Sequence, residues 1–218
     1  MEKSIKTRTW IAVAVILFVL LTDQIIKYAV KTQMLLYEKI EVASWFQIFF
    51  TENDGMAFGM DFVTTTFLAA FRVVVVAIFA VLLGALIRKG YPKGLIVCFS
   101  MIIAGAAGNI IDNALYGLLY TESLPVNLPF AESATLVAMG EGYGEFLAGR
   151  VVDMFYFPLF VWPEGMPLLG GQVFFNAVFN FADASISCGA VALLIFYRKY
   201  LSGNPQPKQE APSATTEV

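Results

Sequence analysis

The chain has 218 residues, of which 58% are apolar and 14% are charged. Because soluble domains have about 45–50% apolar and about 25% charged residues, this composition excludes an ordinary soluble fold and predicts an integral membrane protein. The absence of histidine, the presence of only two cysteines and the net charge of −3 exclude Ser-His triads, histidine-bound haem, zinc clusters and a basic nucleic-acid-binding surface.

Four apolar runs are long enough to cross a bilayer, which takes about 20 mostly apolar residues. The predicted spans cover about 9–30, 67–87, 95–119 and 173–197. Three basic residues precede the first run, as in a signal peptide, but no cleavage pattern of small residues follows and the helical pattern continues past Asp23. We therefore expect the first run to be a retained span.

The segment after the first span is predicted to contain a small β element. Residues 40–50 are rich in β-branched and aromatic side chains, a composition typical of strands. Asn53, Asp54 and Gly55 follow as a turn pattern. A strand followed by a tight turn is therefore expected between the first two spans.

Two segments between the third and fourth spans, and the end of the chain, have distinct compositions. Residues 120–149 carry four Glu and several Gly but no Lys or Arg, which predicts a mobile acidic insertion that buries little surface. Residues 154–169 combine aromatic side chains with three prolines, and we expect this aromatic segment to lie along the membrane interface. The polar, Pro-rich residues 202–218 are expected to form a disordered tail, which leaves a single membrane domain at 1–201.

Basic residues predict the orientation of the spans. Nine of the 14 Lys and Arg residues precede the first span, link the second and third spans, or follow the fourth. By the positive-inside rule, both termini are then cytoplasmic, and segments 31–66 and 120–172 face the other side.

The ionisable residues within the spans, and several amides near them, all fall in the outer half of the membrane in this topology. They are Asp23, Lys27, Arg72, Asn109, Asp112, Asn180 and Asp183. A charge at the bilayer centre costs about 2.5–3.5 kcal/mol on insertion scales and is by default functional. We therefore expect these residues to converge in one site in the outer leaflet.

Some of these residues also have structural explanations. Asp23 and Lys27 can pair across one helical turn, and Arg72 can extend to the lipid headgroups. By contrast, Asp183 would lie about 15 Å along a helix that begins at Val173, where a carboxylate needs a buried partner.

The nearest acids available to Asp183 in such a cluster are Asp112 and Asp153, although Asp112 could also serve only as a helix-end residue bonded to a neighbouring helix. Two adjacent carboxylates share one proton, so that one is a base and the other an acid at the same pH, as in aspartic proteases. Clustered acids can also bind a hard cation such as Mg²⁺ or Ca²⁺. The residues alone leave both possibilities open.

Five sequence blocks stand in the order found in the lipoprotein signal peptidase (signal peptidase II) family, which the chain resembles along most of its length. The blocks are TDQIIK at 22–27, TENDGMAFG at 51–59, GAAGNIID at 105–112, VVDMF at 151–155 and FNFADASI at 179–186. Each block alone is a weak pattern, whereas five blocks in order on four predicted spans are specific.

The resemblance implies an aspartic endopeptidase that removes signal peptides from prolipoproteins by cutting before a Cys that carries diacylglycerol. It implies that Asp153 and Asp183 are the catalytic residues. The residues expected to support the site or the substrate are Asp23, Lys27, Asn53, Gly55, Gly108, Asn109, Asp112, Asn180 and Ala182. The resemblance implies neither a cofactor nor a metal.

The expected fold is an all-α membrane protein with four transmembrane helices, a small extracytoplasmic β element and an interfacial aromatic segment. The expected partners are prolipoprotein substrates and membrane lipids, without nucleic acid, and the expected state is a monomer. The expected location is the bacterial inner membrane, with the active site towards the outer leaflet.

Two features depart from the family pattern. The family usually has Arg directly after the Asp of the third span, where this chain has Asn113. Any substrate contact made by that Arg is therefore expected either to come from another residue, such as Arg150 or Arg72, or to be absent. The family also places its Val-Val-Asp block close behind the third span, whereas Asp112 and Asp153 are 41 residues apart here. We expect the intervening insertion, 120–149, to overhang the site as a lid or substrate gate.

Two other classes of function could use the same residues. A small solute or proton carrier could use the buried acids as a relay, although four spans without an internal inverted repeat argue against it. An envelope assembly protein without catalytic activity would leave the pair of acids without a purpose.

Overall fold

The computed structural model describes residues 2–53 and 65–201, and four main helices account for about half of them. The helices are α1 (Glu2–Gln33), α2 (Thr65–Arg88), α3 (Lys93–Ile111) and α4 (Phe181–Phe196). A π-helical turn at Asp112–Tyr116 and a last α-helical turn at Gly117–Leu119 continue α3, and a short helix α5 (Arg198–Leu201) follows α4. The predicted tail, 202–218, lies outside the described residues.

Six strands form two antiparallel sheets. They are β1 (Lys39–Ala43), β2 (Phe46–Asn53), β3 (Val151–Tyr156), β4 (Phe160–Val161), β5 (Val173–Phe174) and β6 (Val178–Phe179). The larger sheet has the order β1-β2-β3-β6, and β4 pairs only with β5. In the register of β2 and β3, Thr51 lies opposite Asp153. The sheet packs where α1 ends and α4 begins, which we call the sheet end of the helices.

Three helices are long and apolar enough to cross a membrane: α1, α2 from Ala69 onwards, and α3 together with its extension to Leu119. These three helices overlap the first three predicted spans in sequence. The apolar helix α4 has 16 residues and is shorter than the roughly 20 residues that a perpendicular span requires. The prediction of four full transmembrane helices is therefore not confirmed.

The fourth predicted span, 173–197, is wrong in its first part, because α4 begins at Phe181 and not at Val173. The residues before it form β5 and β6 and pair with other strands. A short apolar run rich in aromatic and β-branched residues does not distinguish a strand from a buried helix. The all-α assignment is likewise not confirmed, since a four-stranded sheet accompanies the helices.

Two apolar clusters hold the molecule together at opposite ends. Away from the sheet, Ala12 of α1 packs with α2 and α3 residues such as Leu83 and Phe99. At the sheet end, a second cluster joins α1 and the end of α3 to the buried Phe50 of β2 and Met154 of β3. The sheet is therefore attached to the helices through a continuous apolar core.

The insertion 120–149 contains no helix or strand, but it is bonded to the body of the protein. Its backbone pairs with the end of α3, as where Gly144 N donates to Gly117 O at 2.8 Å. Ser133 Oγ donates to the Thr32 carbonyl of α1 at 2.9 Å, and Ala134 is 1% exposed. The expectation that this segment buries little surface is therefore wrong for these parts of it.

A charged cluster ties the start and the end of the insertion to α1 and β2. The fully buried Lys31 of α1 forms an ion pair with Glu52, whose side chain is 2% exposed. Ser123 donates to the same Glu52 oxygen at 2.7 Å, and Arg150 Nη1 lies 3.4 Å from the other oxygen. Arg150 also pairs with Glu122. We call these five residues the Lys31 cluster.

Candidate active site

The two predicted catalytic carboxylates lie on different elements and are joined by two asparagines. Asp153 is on β3, and Asp183 is in the first turn of α4. Asn180 Nδ2 donates to Asp153 Oδ1 at 2.7 Å and to Asn109 Oδ1 at 3.2 Å. Asn109 Nδ2 in turn donates to Asp183 Oδ1 at 2.8 Å. The four side chains therefore form one hydrogen-bonded row.

The start of α4 holds two members of this row. Asn180 is the N-cap residue, and its side-chain oxygen accepts from Asp183 N at 2.9 Å. The carboxylate of Asp183 accepts from Asn180 N at 3.4 Å, which completes a capping box. Asn180 therefore caps the helix with its oxygen and contacts Asp153 with its nitrogen.

Asp153 lies where a carboxylate is difficult to keep ionised. The residue is 5% exposed, and its backbone pairs with Thr51 in the middle of the sheet. Burial, followed by the charge of Asp183, raises the pKa of Asp153 to about 7, although the charge of Lys27 acts in the opposite direction. Asp153 can therefore hold or release a proton near neutral pH.

A buried lysine lies behind the two asparagines. Lys27 of α1 is fully buried, and its Nζ lies 2.9 Å from Asp23 Oδ2, 2.7 Å from Asp112 Oδ2 and 2.8 Å from Asn109 Oδ1. We call these four residues the Lys27 cluster. Because an ammonium group can only donate, Lys27 holds the oxygen of Asn109 towards itself and leaves the Asn109 nitrogen for Asp183.

Two small residues allow three helices to meet at the Lys27 cluster. A Cβ atom at Gly108 of α3 would lie 2.8 Å from Asp23 Oδ2 and 3.4 Å from Ala182 Cβ. Ala182 of α4 is fully buried, and its backbone N donates to Asp23 Oδ1 at 2.9 Å. A larger side chain at either position would push α1, α3 and α4 apart.

Gln24 and Tyr116 extend the Lys27 cluster and were missed by sequence reasoning. Gln24 Nε2 donates to Asp112 Oδ1 at 2.9 Å, and Tyr116 OH donates to Gln24 Oε1 at 3.1 Å. Asp112 Oδ2 also accepts from the Val152 backbone N of β3 at 3.3 Å. The position of Gln24 next to Asp23 was an available signal, whereas the π-helical turn that carries Tyr116 has no sequence pattern that would predict it.

The two candidate replacements for an arginine at position 113 lie in different places. Arg72 Nη1 of α2 donates to Asn113 Oδ1 at 2.7 Å, and Asn113 Nδ2 donates to the Gly149 carbonyl at 2.7 Å. Arg150 instead belongs to the Lys31 cluster, where it pairs with Glu52. Of the two arginines, Arg72 is therefore the one beside Asn113.

The remaining predicted site residues lie at or beyond the end of β2. Asn53 is the last residue of that strand and lies opposite Val151, two positions along the sheet from the pair of Thr51 and Asp153. Gly55 lies outside the described residues. Among residues 2–53 and 65–201, no three acidic or cysteine side chains form a group that could hold a metal ion.

An apolar cavity of about 370 Å³ opens beside Asp183. Phe175 and Phe179 lie on one side of it, and the α4 residues Asp183, Ser187 and Cys188 lie on the other. A carboxylate at the edge of an apolar cavity is suited to a substrate that presents a polar bond next to apolar groups.

Comparison with known proteins identifies the family. The family model for signal peptidase (SPase) II matches residues 15–199. The chain belongs to the signal peptidase II family. It is 43% identical to the lipoprotein signal peptidase of Porphyromonas gingivalis, over 95% of this chain and 91% of that protein.

Other similarities agree with this membership. A lipoprotein signal peptidase of Amoebophilus asiaticus is 29% identical, over 95% of this chain and 86% of that protein. A solved structure of a bacterial membrane enzyme, determined by the in meso method at 1.9 Å, shares the fold with a TM-score of 0.54 and 23% identity. That similarity covers 84% of this chain and 90% of the other.

Membership in the signal peptidase II family establishes the class of activity. The chain is an aspartic endopeptidase of the membrane that acts in lipoprotein maturation. The resemblance drawn from the five sequence blocks is confirmed, and the carrier and envelope-assembly alternatives are excluded.

Proposed function

We propose that Asp153 and Asp183 are the catalytic pair of this signal peptidase II and cleave a prolipoprotein directly before its diacylglyceryl-modified Cys. The observation that carries the proposal is the row from Asp153 through Asn180 and Asn109 to Asp183. The row links the buried carboxylate of Asp153 to Asp183, and Asp183 lies at the edge of an apolar cavity.

The environments of the two acids support a different role for each in the proposed mechanism. Asp183 accepts hydrogen bonds from Asn109 Nδ2 and Asn180 N, which suits an ionised base that takes a proton from the attacking water. Asp153, with its raised pKa of about 7, holds a proton and donates it to the scissile carbonyl oxygen. The water oxygen then bonds to the carbonyl carbon and gives a tetrahedral intermediate. Its C–N bond breaks as Asp183 passes the water proton to the leaving amine and Asp153 takes a proton back from a hydroxyl of the intermediate. Both acids return to their starting states, and no covalent enzyme intermediate forms.

The cavity beside Asp183 supports a lipid-modified substrate. Its walls include Phe175 and Phe179, which are suited to an acyl chain or to apolar side chains of a signal peptide. A substrate anchored by acyl chains can enter such a site sideways from the bilayer, without leaving the lipid.

We further propose that the sheet end faces the outer leaflet, that both termini are cytoplasmic and that α4 completes a fourth span. The excess of basic residues at the opposite ends of the helices supports this orientation. The hairpin of β4 and β5 supports an interfacial position, since Phe160, Val161 and Leu168 are 47%, 60% and 94% exposed. The protein is proposed to act as a monomer.

The test is cleavage of a diacylglyceryl-modified precursor peptide by purified enzyme in detergent. Asp153→Asn and Asp183→Asn should each lower kcat by at least about 10³-fold, because each removes the acid or the base, while thermal unfolding changes little. Glu164→Gln, which alters an exposed carboxylate of the aromatic segment, is the matched control and should cleave normally. Normal turnover by either Asp variant would contradict the assignment.

A further inference from the structure

Arg72 is a guanidinium in a membrane-spanning helix without an acidic partner among the described residues. It lies seven residues after Thr65, at about 10 Å along α2. Within residues 2–53 and 65–201 its guanidinium donates to one acceptor, Asn113 Oδ1 at 2.7 Å, and forms no ion pair. Because a guanidinium carries five N–H donors, most of the donors of Arg72 have no acceptor among the described residues.

The position of Arg72 is fixed by the protein and not only by the lipid. Asn113 is fully buried on the π-helical turn of α3, and its own Nδ2 is held by the Gly149 carbonyl at 2.7 Å. A side chain that simply extended to the headgroups would not need this contact. The neutral amide of Asn113 therefore orients the guanidinium without neutralising its charge.

Arg72 faces α3 but is only partly buried. Its side chain is partly exposed, and Phe71 and Val73, which flank it about 100° to either side around α2, are 59% and 44% exposed. On the protein side, Asn113 directly follows Asp112 of the Lys27 cluster. A group that reaches the free donors of Arg72 would therefore come sideways from the bilayer and end beside the active site.

We propose that Arg72 binds an ester oxygen of an acylglycerol group that enters from the bilayer. Acylglycerol esters are the acceptor groups found at the boundary between headgroups and acyl chains, and a guanidinium with free donors forms charge-assisted hydrogen bonds with such oxygens. The diacylglyceryl group of the substrate and a neighbouring phospholipid both carry these esters. If the ester belongs to the substrate, the inference rests on the proposed function. If it belongs to a phospholipid, the inference is independent of that function. Arg72 then contributes to binding and not to the chemical step.

The experiment compares the full-length enzyme with Arg72→Met and Arg72→Gln, the latter retaining an N–H donor near Asn113. Arg88→Met, at the exposed opposite end of the same helix, is the matched control. Each protein is assayed in an ester-free detergent on a diacylglyceryl peptide and on the same peptide with two ether-linked chains. Thermal unfolding is measured with and without added diester phosphatidylglycerol and its diether analogue.

If the substrate supplies the ester, both Arg72 variants should raise KM for the diester peptide by about tenfold, since one charge-assisted hydrogen bond is worth about 1.5–3 kcal/mol. Their kcat should stay within about threefold, and their KM for the diether peptide should equal that of the unmodified enzyme. If a phospholipid supplies it, the unmodified enzyme should not distinguish the two peptides, and diester lipid should raise its Tm but not that of the Arg72 variants.

Variants of Arg72 that match Arg88→Met in both measurements would overturn the proposal. An unmodified enzyme that cleaves neither peptide would contradict the proposed function instead, and the comparison of Tm with the two lipids would still decide the role of Arg72.

Discussion

Lys27 and Lys31 are four residues apart on α1, and both are fully buried, yet their surroundings differ in charge. Lys27 faces two carboxylates, Asp23 and Asp112, and a neutral amide. Lys31 faces Glu52 in a cluster that also contains Arg150 and the partly exposed Glu122. The Lys31 cluster therefore balances two positive with two negative charges, whereas the Lys27 cluster has an excess of negative charge.

We infer from this difference that the Lys31 cluster is structural and the Lys27 cluster functional. The ion pairs among the described members of the Lys31 cluster hold the insertion against α1 and β2. An excess of carboxylate charge is costly in a buried place and affects the protonation of the acids next to it. We infer that the Lys27 cluster serves to orient the Asn109 side chain and, through it, the side chain of Asp183.

The largest expected difference between the clusters is in the kcat values of the variants Lys27→Met and Lys31→Met. Each removes a buried partner and should lower the free energy of unfolding by about 3–5 kcal/mol. Only Lys27→Met should also lower kcat of the folded fraction, by at least about 10²-fold, because Asn109 loses the donor that orients its amide. Thermal unfolding and active-site-normalised turnover on the lipopeptide measure the two effects separately. Equal kcat for the two variants would show that Lys27 has only a structural role.

The next largest effect concerns the insertion. Replacing 122–149 with a short Gly-Ser link should lower kcat by more than about tenfold, because the segment supplies the Gly149 carbonyl to Asn113 and the Tyr143 hydroxyl to the Arg150 backbone N. Replacing only 127–131 leaves these contacts in place and should change kcat by less than about twofold. For each variant, kcat and KM are both measured on the same lipopeptide. A full replacement that alters KM alone would favour the lid or gate.

A smaller, graded effect is expected with pH. Burial and the Asp183 charge raise the pKa of Asp153 to about 7, above its ordinary value near 4. The proposed mechanism needs that proton, so kcat/KM should fall as pH rises through about 7, by tenfold per unit at the alkaline end. Lys31→Met should leave this midpoint unchanged, since Lys31 makes no contact with Asp153. A profile that is flat up to pH 9 would contradict the role of Asp153 as the acid.

The smallest expected effect is the energetic coupling between Lys31 and Glu52 within the Lys31 cluster. In Glu52→Gln combined with Lys31→Met, both charges of the central pair are removed, and the loss of stability should be smaller than the sum of the single losses by about 0.5–3 kcal/mol. Thermal or denaturant unfolding of the three variants gives this difference. Strict additivity would show that the pair is not energetically coupled.

The residues of the candidate site could be predicted from the sequence because charges and amides are conspicuous in apolar helices. Lys27, Asn109, Asp112 and Asp183 lie in such helices, and the structure brings them together. Asp153 lies on a strand outside the spans, so the residues alone gave it only as one of two acids, with Asp112, that could pair with Asp183, and the resemblance selected it. Their catalytic and supporting roles remain predictions.

The start of α4 and the packing of the insertion could not be predicted, for two physical reasons. Val173 to Phe179, which are apolar except for Asn176, are compatible with either a strand or a helix, and only the N-cap at Asn180 marks the start of the helix. The four Glu residues of the insertion suggested a solvated loop, but the contacts of Ser123, Ala134 and Tyr143 depend on partners distant in sequence. Composition describes a segment alone and not the surface on which it packs.

The short length of α4 has a consequence for the surrounding bilayer. Its 16 residues extend about 24 Å, whereas the hydrocarbon core of a typical bilayer is about 30 Å thick. As the proposed fourth span, α4 would be too short for this core, and the lipids next to it would thin locally to match it. Since Asp183 is in the first turn of α4, this thinning would bring hydrated headgroups close to the carboxylate and supply water for hydrolysis without a dedicated channel. The thickness of the host membrane thus becomes a determinant of the reaction, and lipids with longer acyl chains should slow it.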